Sequence, residues 1–163
     1  MKRASIILIA SLALVITAHA EPRPDLGVGV NLLPDAKLTP GAATTNDVSV
    51  ICQKRYAGSE RNVPESVKRA VYAEYGITKW KPGEYEIDHL ISLELGGSND
   101  KANLWPQPYQ ATWNAHQKDH LEDRLHALVC QGKIPLAQAQ AEISTNWIAA
   151  FQKYVGGGAT DER

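Results

Sequence analysis

At 163 residues, with no internal repeat, the chain has the size of one small domain, which excludes a solenoid. Its 17 basic and 18 acidic side chains nearly balance, and removal of Lys2 and Arg3 with a leader leaves it more acidic, against the basic balance common in nucleic-acid binders. The two cysteines, Cys52 and Cys130, have no nearby partner at metal-ligand spacing, which argues against a zinc knuckle.

Lys2 and Arg3 precede an apolar run from Ile6 to Ile16 and then Ala18-His19-Ala20, which together predict a cleavable secretory signal over residues 1–20. As an anchor the run is too short, because roughly 30 Å of hydrocarbon takes about twenty apolar residues. The mature product is therefore expected to be periplasmic or secreted, monomeric and without stable membrane association. Export would favour joining Cys52 to Cys130, a link that stabilises by roughly 2 to 4 kcal/mol through loop closure.

Residues 21–47, rich in Pro, Gly, Thr and Ala, read as an extended or disordered lead-in, and the domain is expected over residues 48–155. Lys54, Arg55, Arg61, Lys68, Arg69, Lys79 and Lys81 crowd the segment before residue 82, and a patch of them, Arg61 included, is a candidate phosphate contact; a solvated helix face is the alternative. Pro64 opens a helix with Val67, Ala70, Val71 and Tyr75 on one face, and Gly76 ends it. From Glu84 the pattern alternates: Tyr85 and Ile87 point one way, Glu84, Glu86 and Asp88 the other, as in a strand. Gly96-Gly97-Ser98-Asn99-Asp100 breaks it, and Asn103-Leu104-Trp105-Pro106 returns as a second strand. After Pro108, Leu121, Leu125 and Leu128 mark a helix ending near Gly132. Pro135 opens a last helix with a buried stripe from Leu136 through Ile143 and Trp147 to Tyr154, and Gly156 begins a flexible tail over 156–163. The fold class expected is a small single α+β domain.

Chemistry concentrates in Asp88-His89. A carboxylate offers a hard oxygen to a divalent cation, and the adjacent imidazole takes a proton near neutral pH, a combination suited to phosphodiester cleavage. Glu86 shares a strand face with Asp88 and reads as a second oxygen donor or an exposed strand residue. A triad of Ser92, His89 and Asp88 is excluded because neighbours on one strand alternate faces. A glycosidase using Glu86 and Asp88 is disfavoured because neighbouring carboxyls do not face each other across a cleft. Trp80, Trp105, Trp113 and Trp147 read as core or rim aromatics, with Trp105 or Trp113 able to stack on a base.

Asp88-His89, an apolar stretch, Gly96-Gly97, a polar turn and then Asn103-Leu104 resemble the HNH (His-Asn-His) nuclease superfamily, and Asp88 to Pro106 with the run Lys118-Asp119 to Val129-Cys130 resembles small exported bacterial proteins of that type. The resemblance implies a ββα-metal core and a metal-dependent endonuclease acting on DNA, with RNA as a further substrate. It implies Asp88 as metal ligand, His89 as general base and Asn103 as the residue that pins the hairpin loop. It leaves the third position open: Asn114 fits by distance, while His116, paired at i, i+4 with His120, is the alternative, and plain surface histidines are the other reading of His116, His120 and His126. One divalent ion is expected, Mg²⁺ or Mn²⁺ with an oxygen set, Zn²⁺ or Ni²⁺ if the helix histidines are ligands. Lys118 is expected to touch a phosphate. The alternative function is a non-catalytic secreted binding protein on the same fold.

Overall fold

The computed structural model describes residues 32–156; the expected signal (1–20), the first part of the lead-in (21–31) and nearly all of the tail lie outside the described residues. Within it, α1 (Val48–Ile51), α2 (Tyr56–Glu60) and α3 (Glu65–Glu74) precede β1 (Tyr85–His89) and β2 (Leu104–Pro108), and α4 (Ala115–Cys130) and α5 (Leu136–Phe151) complete an α+β domain. No helix among the described residues is long and apolar enough to cross a membrane. Two of the expected helices appear with their expected punctuation: Pro64 caps α3, and Gly76 and Gly132 take positive φ beyond α3 and α4. Asn146 interrupts α5 with an extended backbone, so the apolar stripe continues across a kink.

β1 and β2 pair antiparallel, with Tyr85 opposite Pro108, Asp88 opposite Trp105 and His89 opposite Leu104. Because facing residues share a side of the ladder, Glu86, Asp88, Trp105 and Gln107 lie on one face and Ile87 and His89 on the other. The core gathers Trp105, Leu121, Leu125, Ile143 and Trp147, all 0 % exposed. Burying large side chains of this kind contributes about 1.5–3 kcal/mol each before entropy is counted.

The loop between the strands is held from inside by Asn103. Its Oδ1 accepts from Ile91 N at 2.9 Å and from Ala42 N at 3.3 Å, while its Nδ2 donates to the carbonyls of Ile91 and Ser98, both at 2.9 Å. Side-chain space is closed to anything larger at the paired glycines. A Cβ on Gly97 would lie 1.8 Å from Ile91 O, and one on Gly96, whose φ is +79°, would lie 2.4 Å from Thr45 O. Asn103→Ala is expected to destabilise the domain by roughly 2–4 kcal/mol, because it strands buried backbone donors and acceptors. Urea denaturation measures this, and a loss below about 1 kcal/mol would show that the loop is held by other contacts.

The fold begins earlier than the composition of residues 21–47 indicates. Leu32 and Thr39 are buried, Trp147 Nε1 donates to Leu32 O at 3.0 Å, and Ala43 forms a bridge with Gly97. A segment without a period is thus fixed by tertiary contacts. Cys52, at the end of α1, is joined to Cys130, the last residue of α4, with Cα atoms 5.7 Å apart across 78 residues of sequence. Trp105 is fully buried and cannot stack on a base. Trp113 packs edge-on against Trp147 and Phe151.

Candidate functional site

Asp88 and His89 end β1 on opposite faces of the ladder, and each face gives its side chain a different environment. His89 is 3 % exposed, and its Nε2 lies 3.0 Å from Asn99 Oδ1. The orientation of the Asn99 amide is fixed by backbone: its Nδ2 donates to Glu60 O at 2.8 Å and its Oδ1 accepts from Asn62 N at 3.4 Å. An oxygen so placed can only accept, so Nε2 carries the ring proton and the neutral tautomer leaves the Nδ1 lone pair unprotonated. Burial pushes the His89 pKa below the usual histidine value, against the opposing effects of Asn99 and Asp88. At neutral pH the ring is therefore an uncharged base with a defined tautomer. Sequence reasoning missed Asn99, which sat in a turn ten positions from its partner.

Arg61 is exposed just beyond α2, next to Asn62, and close enough that its charge acts on both His89 and Glu94. The exposed Arg61 guanidinium is thus within electrostatic reach of the candidate base.

On the other face Asp88 meets α4 through Lys118. The Lys118 ammonium is 2.7 Å from Asp88 Oδ2 and 2.7 Å from His89 O, and it also binds Glu122. Glu122 in turn accepts from Ser92 Oγ at 2.9 Å. Burial alone would lower the Lys118 pKa, but the Asp88 and Glu122 carboxylates outweigh it and hold the amine protonated. Burial also pushes the Glu122 carboxyl well above the usual glutamate range despite Lys118. The expected phosphate contact of Lys118 is corrected here, because a side chain with 0 % exposure and all its donors directed into the protein does not reach a ligand in solvent.

The candidates for the third metal position are also placed otherwise than expected. Asn114 is the N-cap of α4: its Oδ1 accepts from His116 N and Gln117 N, its Nδ2 donates to Ala111 O, and Gln117 returns a bond to the Asn114 backbone. A capping amide engaged on all sides has no oxygen directed at Asp88. His116 has a side chain 70 % exposed, 4.0 Å from Asp119 and tilted against the Tyr109 ring, and His120 is exposed as well. Nearer to Asp88 stand Glu86, which accepts from Tyr109 Oη at 2.6 Å, and Asp119; burial raises both carboxyls and the Asp88 charge adds to it.

Among the described residues, the one group of three His, Cys, Asp or Glu ligand atoms lying within 4.8 Å of one another is elsewhere, at Cys52, His126 and Cys130, a cluster with the donors to hold a metal. His126 lies one turn before Cys130 on α4, a metal-ligand spacing that the sequence reading of the cysteines overlooked. A divalent ion at Asp88, by contrast, does not fit the arrangement found there. One carboxylate oxygen is already paired with a fixed ammonium, and neither helix candidate turns toward it.

Comparison of the chain with protein-family models, with curated proteins and with solved structures found no match.

Proposed function

We propose that the protein is an exported HNH-type endonuclease that hydrolyses phosphodiester bonds in nucleic acid, DNA foremost, with the Nδ1 atom of His89 as general base. The observation that carries this reading is the His89–Asn99 pair, which holds a neutral imidazole in one tautomer at the end of a strand, with an exposed arginine beside it. The hairpin from Asp88 to Asn103, closed by the Asn103 amide and followed by α4, supports a ββα unit of the kind the resemblance implies. The disulfide supports export to an oxidising compartment, periplasmic or outside the cell.

In this reading Nδ1 accepts a proton from the attacking water, Asn99 keeps the ring from turning, and Arg61 meets the negative charge of the phosphate. The divalent ion belongs to the resemblance alone. The residues around Asp88 do not gather for it, so no step is assigned to a metal. One specific observation favours the second reading, a non-catalytic binding protein: Lys118 neutralises the carboxylate that a nuclease of this type would offer to its cation.

Incubating the oxidised mature protein with plasmid DNA and structured RNA, with Mg²⁺, Mn²⁺, Zn²⁺ or EDTA, separates the possibilities. Cutting that needs Mg²⁺ or Mn²⁺ would restore the metal-dependent mechanism and require Asp88 to exchange Lys118 for the ion. Cutting that survives EDTA would leave Lys118 as the buried cation of the site. No cutting of any substrate by folded protein would refute the nuclease reading. For an active protein, the rate is expected to rise with pH through the His89 pKa and then level off, because only the neutral ring is a base. Since burial lowers that pKa from 6.5, the inflection should fall below pH 6.5. An inflection well above that value would assign the base elsewhere.

A further inference from the structure

The corner where α1 meets the end of α4 has donors that the nuclease reading does not use. His126 Nε2 lies 3.3 Å from Cys130 Sγ and 3.2 Å from Ile51 O, and the ligand atoms of Cys52, His126 and Cys130 all lie within 4.8 Å of one another. Both cysteines are exposed and His126 is half-buried, so the cluster opens to solvent on one side.

In the disulfide the sulfurs are bonded to each other and offer no thiolate. Once reduced, they would stand at the spacing of a tetrahedral thiolate–imidazole site. With metal–sulfur bonds of about 2.3 Å and metal–nitrogen bonds of about 2.0 Å, the edges of such a tetrahedron are roughly 3.5–3.8 Å long. The sulfur–nitrogen approach is already near that length, and the 5.7 Å between the Cα atoms of the cysteines is set by the ends of two helices. Two thiolates and an imidazole select a soft or borderline ion over Mg²⁺, and a water completes the fourth position on the open side.

We infer that Cys52, His126 and Cys130 form a thiol–disulfide-gated metal site, closed while the disulfide stands and able to hold one Zn²⁺-class ion when it is reduced. The chemistry balances with an external dithiol as reductant. Its two thiols become a disulfide while Cys52 and Cys130 become two thiols, and each cysteine then releases its proton to solvent as it binds the ion, whose oxidation state does not change. In an oxidising compartment the site is closed; in a reducing one, or wherever the ion arrives before oxidation, the same residues are tied together by metal instead.

The competing role for His126 is purely structural, donating to Ile51 O across the corner. His126→Gln separates the two, because the glutamine amide can still donate to that carbonyl but is a far weaker ligand. The experiment is titration of the full mature chain with Zn²⁺, oxidised and after reduction by a non-chelating phosphine, followed calorimetrically, with circular dichroism as the fold control. Reduced protein is expected to bind one Zn²⁺ per chain that oxidised protein does not, and His126→Gln to weaken that binding by about tenfold or more. Charge-transfer absorption on replacing Zn²⁺ by Co²⁺ should appear only in the reduced form. Equal uptake by oxidised and reduced protein would overturn the site, as would unchanged affinity in His126→Gln. So would a reduced chain that neither keeps its fold nor regains it when Zn²⁺ is added.

Discussion

Lys118→Met is expected to destabilise the domain by about 3–5 kcal/mol at neutral pH, more than any surface substitution in the molecule. Methionine preserves most of the length and apolar volume of the side chain, so the loss reflects charge. Asp88 and Glu122 keep their carboxyl groups in the interior without the ammonium that both of them face, and His89 O loses its donor. The deficit should depend on pH with a definite sign. A buried carboxyl whose folded-state pKa lies above its unfolded value favours folding at low pH and loses that contribution as pH rises through the folded pKa. Glu122 is already raised with Lys118 present, and without it the rise is larger. The gap between Lys118→Met and the parent should therefore widen as pH rises above about 8, where Glu122 ionises beside Lys118 in the folded parent but stays protonated in the folded variant. Urea denaturation at several pH values tests this, and adding Glu122→Gln to Lys118→Met should recover part of the loss at neutral pH. A deficit under about 1 kcal/mol, flat with pH, would mean that water reaches the cluster and the pair is a surface ion pair in energetic terms.

The same residue shows what the sequence displays and what it hides. The apolar period of α4 was readable at Leu121, Leu125 and Leu128, and Lys118 sits three positions before Leu121 on that stripe, all of them buried. A charged residue on a buried stripe was a legible signal that a counter-charge faces it. Its attribution to phosphate followed the resemblance instead. Asn114 was equally readable as a cap, because Asn followed three residues later by Gln is the sequence form of a capping box. Asn103 and the disulfide could be named in advance: the first through a motif whose spacing is local, the second because only two cysteines exist to pair.

What stayed hidden is non-local. Leu32 and Thr39 belong to no period and are buried only because α5 and the hairpin come to them. The short helices α1 and α2 were not foreseen either, since four or five residues carry too little period to register. Yet α2 brings Glu60 O and Asn62 N to the Asn99 amide, and through that amide it sets the His89 tautomer. The candidate base was thus legible, and the scaffold that orients it was not.

His89→Ala is expected to lower cleavage by about 10²–10⁴-fold, the usual contribution of a positioned general base, while leaving the circular dichroism spectrum unchanged. That result alone would not distinguish a base from a residue that merely shapes the loop, so Asn99→Ala supplies the second measurement. Asn99 accepts from Nε2–H more strongly when the ring is cationic, so it raises the His89 pKa against the lowering by burial. Removing it should shift the acid limb of the pH–rate profile to lower pH. It should also reduce the plateau rate by roughly tenfold, because the freed ring divides its population between tautomers and rotamers. A histidine with only a structural role predicts neither the shift nor its direction. If Asn99→Ala moved the limb toward higher pH, or if His89→Ala retained parental cleavage, the base would have to be sought among the exposed residues of α4, with His116 the first to replace.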